Sequence, residues 1–232
     1  MGLSNYVPSS RISQAGVCTS STRPASPYDG QVIYETDTDK TLVWNGSAWV
    51  FLSTNSTGDV GLVKVIPTGA TNATINSTGN IQITNGASSV TVNNCFSSTY
   101  TNYRIIFSRM YTTVGSDVRF QLSGYSGNNY YSAKSNLTTG GGTSNNLING
   151  NLPFWAIGGT DGGDANMFSM DISGPFTTTR TGFTSTGFAN GAAFFAGGQV
   201  VDLTSSTGFI LTISAGTFQG GTSQILIYGY RD

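Results

Sequence analysis

Apolar and polar residues alternate along much of this chain with a period of two, the spacing of a β-strand with one buried face. Ile81 and Ile83 flank Gln82, and Val90 and Val92 flank Thr91. Val118, Phe120 and Leu122 point one way while Asp117, Arg119, Gln121 and Ser123 point the other. Phe168, Met170 and Ile172 repeat the pattern against Met167, Ser169 and Asp171. Residues 103–107 are more continuously apolar, which predicts a buried central strand. Residues 209–213 and 225–228 complete the set. Glycine-rich stretches at 138–144, 158–164 and 197–198 predict loops. Many short strands with glycine turns predict an all-β chain whose residues 60–232 form an antiparallel β-sandwich, jelly-roll-like in topology.

Residues 23–52 carry a denser pattern. Pro24 and Pro27 hold the approach extended. Asp29-Gly30 and Asn45-Gly46 are turn pairs, and Asp37, Thr38, Asp39 and Lys40 form a polar reversal. Strands are predicted at 31–35, 41–44 and 48–52, a small three-stranded meander. Within their own strands Val32 and Tyr34, Leu42 and Trp44, and Trp49 and Phe51 share a face; Ile33, Val43, Val50 and Leu52 take the other. Both faces are therefore apolar. A meander of this size cannot bury two apolar faces by itself. It predicts a docking surface, with Tyr34, Trp44, Trp49 and Phe51 as its contacts; packing on the chain's own C-terminal domain is the plainer alternative. Residues 1–22 are polar and irregular, an expected N-terminal arm, and 53–59 are an expected linker.

The residues Arg23, Pro24, Pro27, Gly30, Gln31, Ile33, Tyr34, Glu35, Thr36, Asp37 and Thr38, then Trp44, Asn45, Gly46, Ala48 and Trp49, spell R-P-x-x-P-x-x-G-Q-x-I-Y-E-T-D-T and W-N-G-x-A-W. This pattern resembles a short module of bacteriophage virion proteins of the tail-fibre and head-fibre type. The run 102–107 and the ending QILIYGYRD resemble phage fibre and decoration domains more loosely. The resemblance implies structural work, attachment to a virion through other virion proteins, and assembly as a homotrimer.

Composition supports the strand reading. Of 232 residues, 31 are glycine and only 9% are charged, and Glu35 is the sole glutamate. Helix formers are sparse. The net charge of −1 offers no basic surface for phosphates, so no nucleic-acid partner is expected. Residues 1–16 lack the apolar core of a signal peptide, and no apolar run is long enough for membrane insertion. Assembly in a host cytoplasm and residence in the virion need neither. Cys18 and Cys95 read as small buried thiols rather than a bridge.

With no histidine, the chain has no Ser-His-Asp or Cys-His constellation and few routes to zinc. No phosphate-binding glycine loop is present, and no cofactor is expected. Asp161, Asp164, Asp171 and Asp202 are the carboxylates available to a sugar-cleaving pair, but none has an evident pocket to raise its pKa, so enzymatic activity is not expected. Asp161, Asp164 and Asn166 sit on a glycine loop that offers hard oxygen ligands for calcium; a water-exposed Asx turn is the preferred reading. Tyr125, Asn128, Asn129 and Tyr130 mix aromatics with amides, as sugar-binding surfaces do, and are the candidate glycan contacts. A hairpin with interior tyrosines is the simpler account of them. Trp155, after Pro153, could equally be a core anchor. Phe176, Phe183, Phe188, Phe194 and Phe195 divide between core and a subunit interface.

The expected function is a phage virion structural protein, first a tail fibre or short tail spike component. The meander would hold it to the particle, and the sandwich would meet the host surface, with a surface glycan as a possible partner. A head fibre or capsid decoration protein is the alternative; a free carbohydrate-binding module is the second.

Overall fold

The computed structural model describes residues 16–52, 61–125, 127–138, 142–163, 166–189, 191–221 and 223–231. Every regular element among them is a strand. The chain divides into two compact units, Met1–Asp59 and Val60–Asp232. The expected linker, 53–59, and residues 1–15 of the expected arm lie outside the described residues.

The first unit is a sheet of β1 (Gly16–Cys18), β2 (Val32–Glu35), β3 (Lys40–Trp44) and β4 (Trp49–Phe51), in that order. β2, β3 and β4 form the expected antiparallel meander. β1 corrects the prediction: it comes from the segment read as an arm and adds a fourth strand, parallel to β2. Three residues are too few to show alternation, and a parallel partner gives no turn signature. The turns are the ones the sequence marks. Gly30 and Gly46 have φ of 84° and 93°, a region glycine enters without a Cβ penalty. The Asn45 carboxamide oxygen accepts the N–H groups of Ser47 and Ala48, closing the second turn.

The second unit holds β5 (Leu62–Lys64), β6 (Gly69–Thr71), β7 (Ala73–Ile75), β8 (Ile81–Ile83), β9 (Ser89–Asn93), β10 (Asn102–Met110), β11 (Ser116–Leu122) and β12 (Tyr130–Thr138). There follow β13 (Thr143–Leu152), β14 (Trp155–Thr160), β15 (Asn166–Ser173), β16 (Thr181–Ala189), β17 (Ala192–Val200), β18 (Phe209–Ile213) and β19 (Gln224–Tyr230). Two sheets result. In the larger, β8, β19, β10 and β15 lie side by side; in the smaller, β9, β18, β11 and β14 do. Through these eight strands the chain crosses between sheets six times, from β8 to β9, β9 to β10, β10 to β11, β14 to β15, β15 to β18 and β18 to β19. This is the double Greek key of a jelly roll. The sandwich expected from alternation is thus present.

Two hairpins are added to that frame. β12–β13 is inserted between β11 and β14, and β16–β17 between β15 and β18. They join each other through β12 and β17, paired from Tyr130↔Val200 to Thr138↔Ala192. The larger sheet therefore continues past β15 as β16, β17, β12 and β13. The sequence reading missed this wing. It placed loops at 158–164 and 197–198, yet Gly158 and Gly159 lie in β14, and Gly197 and Gly198 in β17. At Gly198 the reason is steric: an added Cβ would lie 2.0 Å from the Tyr131 carbonyl oxygen. Glycine here permits close strand packing rather than a turn.

The core lies between the sheets. Ile105, Phe107, Phe168, Met170 and Ile172 meet Val90, Val118, Phe120, Phe209 and Leu211, all buried. Phe107 stacks on Phe168, and Phe120 on Phe209, at centroid separations of 4.5 and 4.7 Å. Trp155 on β14 is wholly buried and touches the rings of Phe120, Tyr130 and Phe183, tying the wing to the sandwich. Cys18 and Cys95 are free thiols, Cys95 buried and Cys18 half-buried.

Candidate functional site

In the small sheet, the motif residues mostly satisfy one another. Arg23 donates through Nε to Glu35, whose second oxygen accepts Thr38 Oγ1 at 2.7 Å. Glu35 is fully buried. The Arg23 hydrogen bond holds its carboxyl below the usual range, with Thr38 adding to the effect against the opposing cost of burial. Asp37 accepts both the N–H and the hydroxyl of Ser20. Gly30 N–H donates to the Trp44 carbonyl, and Trp44 N–H to the Gln31 carbonyl. The polar part of the motif is therefore a self-consistent lattice that specifies this sheet.

Its apolar residues are not all used this way. Both faces are apolar, as expected: Ile33, Leu42 and Phe51 lie across one, Val32, Val43 and Val50 across the other. Trp44 and Trp49 meet edge to face at 5.6 Å on the first face. Phe51 is 56% exposed, and Val17 and Tyr28 are exposed too. Tyr34 departs from its predicted companions. Register puts it with Thr41 and Val17 on the opposite face, where its hydroxyl donates to Asp39. Trp44, Trp49 and Phe51 share a surface; Tyr34 is not part of it.

The candidate glycan contacts also need correction. Tyr130 is fully buried and Tyr125 nearly so. The Tyr130 hydroxyl accepts the Leu122 N–H, and the ring packs on Trp155 and Tyr125. Neither tyrosine has a free face for a sugar; both complete the core, and only Asn128 and Asn129 of that set are exposed. In the glycine loop weighed as a calcium site, Asp164 lies outside the described residues, and Asn166 is buried with its amide donating to the Met110 carbonyl. Asp202 accepts from Thr204, which holds its pKa down. Asp171 is likewise held low, first by Arg104 and then by Tyr230. That is the reverse of the raised acid a sugar-cleaving pair needs.

A site that the sequence reading missed lies on the outer face of the larger sheet. A hollow of about 620 Å³ is lined by Asn102, Asp171, Ser173, Gly182, Thr184 and Tyr230, among others. Arg104 grips Asp171 from beside it through two bonds, Nε to Oδ1 at 2.8 Å and Nη2 to Oδ2 at 2.6 Å. The Tyr230 hydroxyl donates to Oδ1 at 2.7 Å, and the Arg104 guanidinium lies 5.8 Å from the Tyr230 ring centre. Arg104, Asp171 and Tyr230 thus form one rigid group. Cross-strand register is the signal that finds it: Arg104↔Asp171 and Asp171↔Thr184 are opposed pairs, invisible without strand pairing.

The same outer face carries an apolar strip. Met167 opposes Phe188, and Phe195 opposes Thr186. Met167, Phe188, Phe195 and Leu137 are all exposed. The phenylalanine run therefore divides, with Phe183 and Phe194 in the core and Phe188 and Phe195 outside. Comparison with protein-family models and with curated proteins gives no match for this chain.

Proposed function

We propose that this chain is a bacteriophage virion structural protein, a tail fibre or short tail spike component that assembles as a homotrimer. The first unit fastens it to other virion proteins, and the jelly roll meets the host surface. One observation carries this reading. The polar residues of the 23–52 motif are spent on holding its own sheet together, while Phe51 stays exposed on the face it shares with Trp44 and Trp49. An aromatic surface on a rigid, self-satisfied module is what attachment to a larger body requires.

Antibody labelling of intact particles tests the placement. Label on the tail is the expected result. Label on the capsid moves the protein to the head-fibre or decoration class, and absence from purified particles overturns the virion reading.

A further inference from the structure

We infer that the hollow on the outer face of the larger sheet is a saccharide-binding site, centred on Asp171 and Tyr230 and kept open by Gly182. This rests on the reading of the jelly roll as the unit that meets the host surface.

A residue inside a strand is stabilised by a side chain, so an interior glycine needs a reason. On β16 and β17, Gly187 and Gly198 have one: an added Cβ would lie 2.3 Å from the Phe168 Cβ and 2.0 Å from the Tyr131 carbonyl oxygen. Gly182 has none. Its backbone is not left-handed, and a Cβ there would meet nothing closer than 3.7 Å. Gly197, opposite Thr184 on β17, has similar room, its nearest neighbour being 3.5 Å away. What a side chain at Gly182 would occupy is the hollow itself.

Asp171 accepts three hydrogen bonds, two from Arg104 and one from Tyr230. A carboxylate has about four lone-pair positions, which leaves one on Oδ2 for a ligand hydroxyl. Arg104 approaches from the neighbouring groove, which it lines with Ile106 and Met167, so it positions the carboxylate without filling the hollow. Tyr230 supplies a ring, and Asn102, Ser173 and Thr184 supply amide and hydroxyl groups. An apolar ring beside fixed acceptors and donors suits a pyranose, which has C–H faces and a rim of hydroxyls. The volume lies within the roughly 300–1,000 Å³ of small-molecule sites.

The row holding Ser173 and Gly182 runs on through Gln199 to Tyr131, which is 41% exposed. In the other direction it runs through Asn102 to Tyr230. Five strand spacings separate the two tyrosines, about 24 Å. A row of outward-facing positions with Ser173 and Gly182 in its middle and a tyrosine at each end, continuing beyond the hollow, fits an oligosaccharide better than a single sugar.

The test is a printed array of defined oligosaccharides of hexoses, deoxyhexoses and N-acetylhexosamines, probed with the full chain, followed by saturation-transfer NMR on any hit. Wild type is expected to bind at least one, and Gly182→Val and Tyr230→Ala each to weaken that binding about tenfold or more. Gly182→Val is the decisive variant, because its side chain has room and β-branching favours strands, so its melting temperature should not fall. Undiminished binding by a folded Gly182→Val protein overturns the inference but leaves host recognition standing. Absence of binding to every sugar also overturns it, while the particle-labelling experiment decides the virion reading separately.

Discussion

Glu35 shows how a single residue can govern a small sheet. It is buried beside Arg23 and Thr38, and its pKa is lowered in the folded state. Its contribution is therefore complete above the ordinary glutamate pKa of about 4.3 and is lost as pH falls through the lower folded value. Trp44 and Trp49 report on this unit. Their fluorescence should shift cooperatively on acidification below about pH 4, and Glu35→Gln should melt at lower temperature at neutral pH while losing that acid transition. An unchanged acid transition in Glu35→Gln would remove Glu35 from the explanation. In the sandwich, Trp155→Ala removes the ring joining wing to core and should cost about 3–5 kcal/mol in denaturant melts. The sequence left the role of Trp155 open, and its simpler account of Tyr125 and Tyr130, a hairpin with interior tyrosines, is the one the structure shows. Tyr125 and Tyr130 follow serine, glycine and asparagine, the company of surface loops. Only the tertiary position of Trp155 shows why their rings turn inward.

Among the elements, strands with clean alternation were readable: β8, β9, β11, β15, β18 and β19 follow the apolar spacing directly. β16 and β17 were not, because glycine at 182, 187, 197 and 198 interrupts the pattern. The same residue type serves opposite ends there. Gly187 sits under Phe168, whereas Gly182 borders open space. Gly187→Ala should destabilise by about 1–3 kcal/mol through overpacking. Gly182→Ala should stabilise by about 0.5–1 kcal/mol, because alanine gives up less backbone freedom on folding. Equal effects in thermal melts would contradict the steric distinction. The hollow was illegible for a related reason. Asn102, Asp171, Gly182 and Tyr230 lie on four strands drawn from three separate stretches of the chain, and only the register brings them side by side.

Across the whole molecule, the division at residues 59 and 60 makes the parts separable by experiment. Deleting residues 1–59 should leave a folded jelly roll, with its β-sheet circular dichroism and a buried Trp155, that no longer enters virions. Normal incorporation of the truncated protein would refute the fastening role. Light scattering at micromolar concentration should return three times the chain mass of 24.3 kDa; a single-chain mass would refute the trimer. The two-part organisation was readable from the Ser/Thr/Asn-rich stretch at 53–59 and the motif before it. The wing was not, because its two hairpins lie far apart in the chain and are stabilised by each other.

The position of β19 bears on how the protein is made. It pairs with β10 on one side and with β8 and β5 on the other, so the gap in the larger sheet between β10 and these earlier strands is filled only when β19 arrives. A ribosome adds about 5–20 residues per second, and the stretch from Met110 to Gln224 therefore takes on the order of ten seconds to emerge. Throughout that interval β10 has an open edge, with the side chains of Ile105 and Phe107 not yet enclosed. The sandwich closes late, through contacts of high sequence separation, and its nascent chain is most vulnerable to aggregation just before synthesis reaches β19.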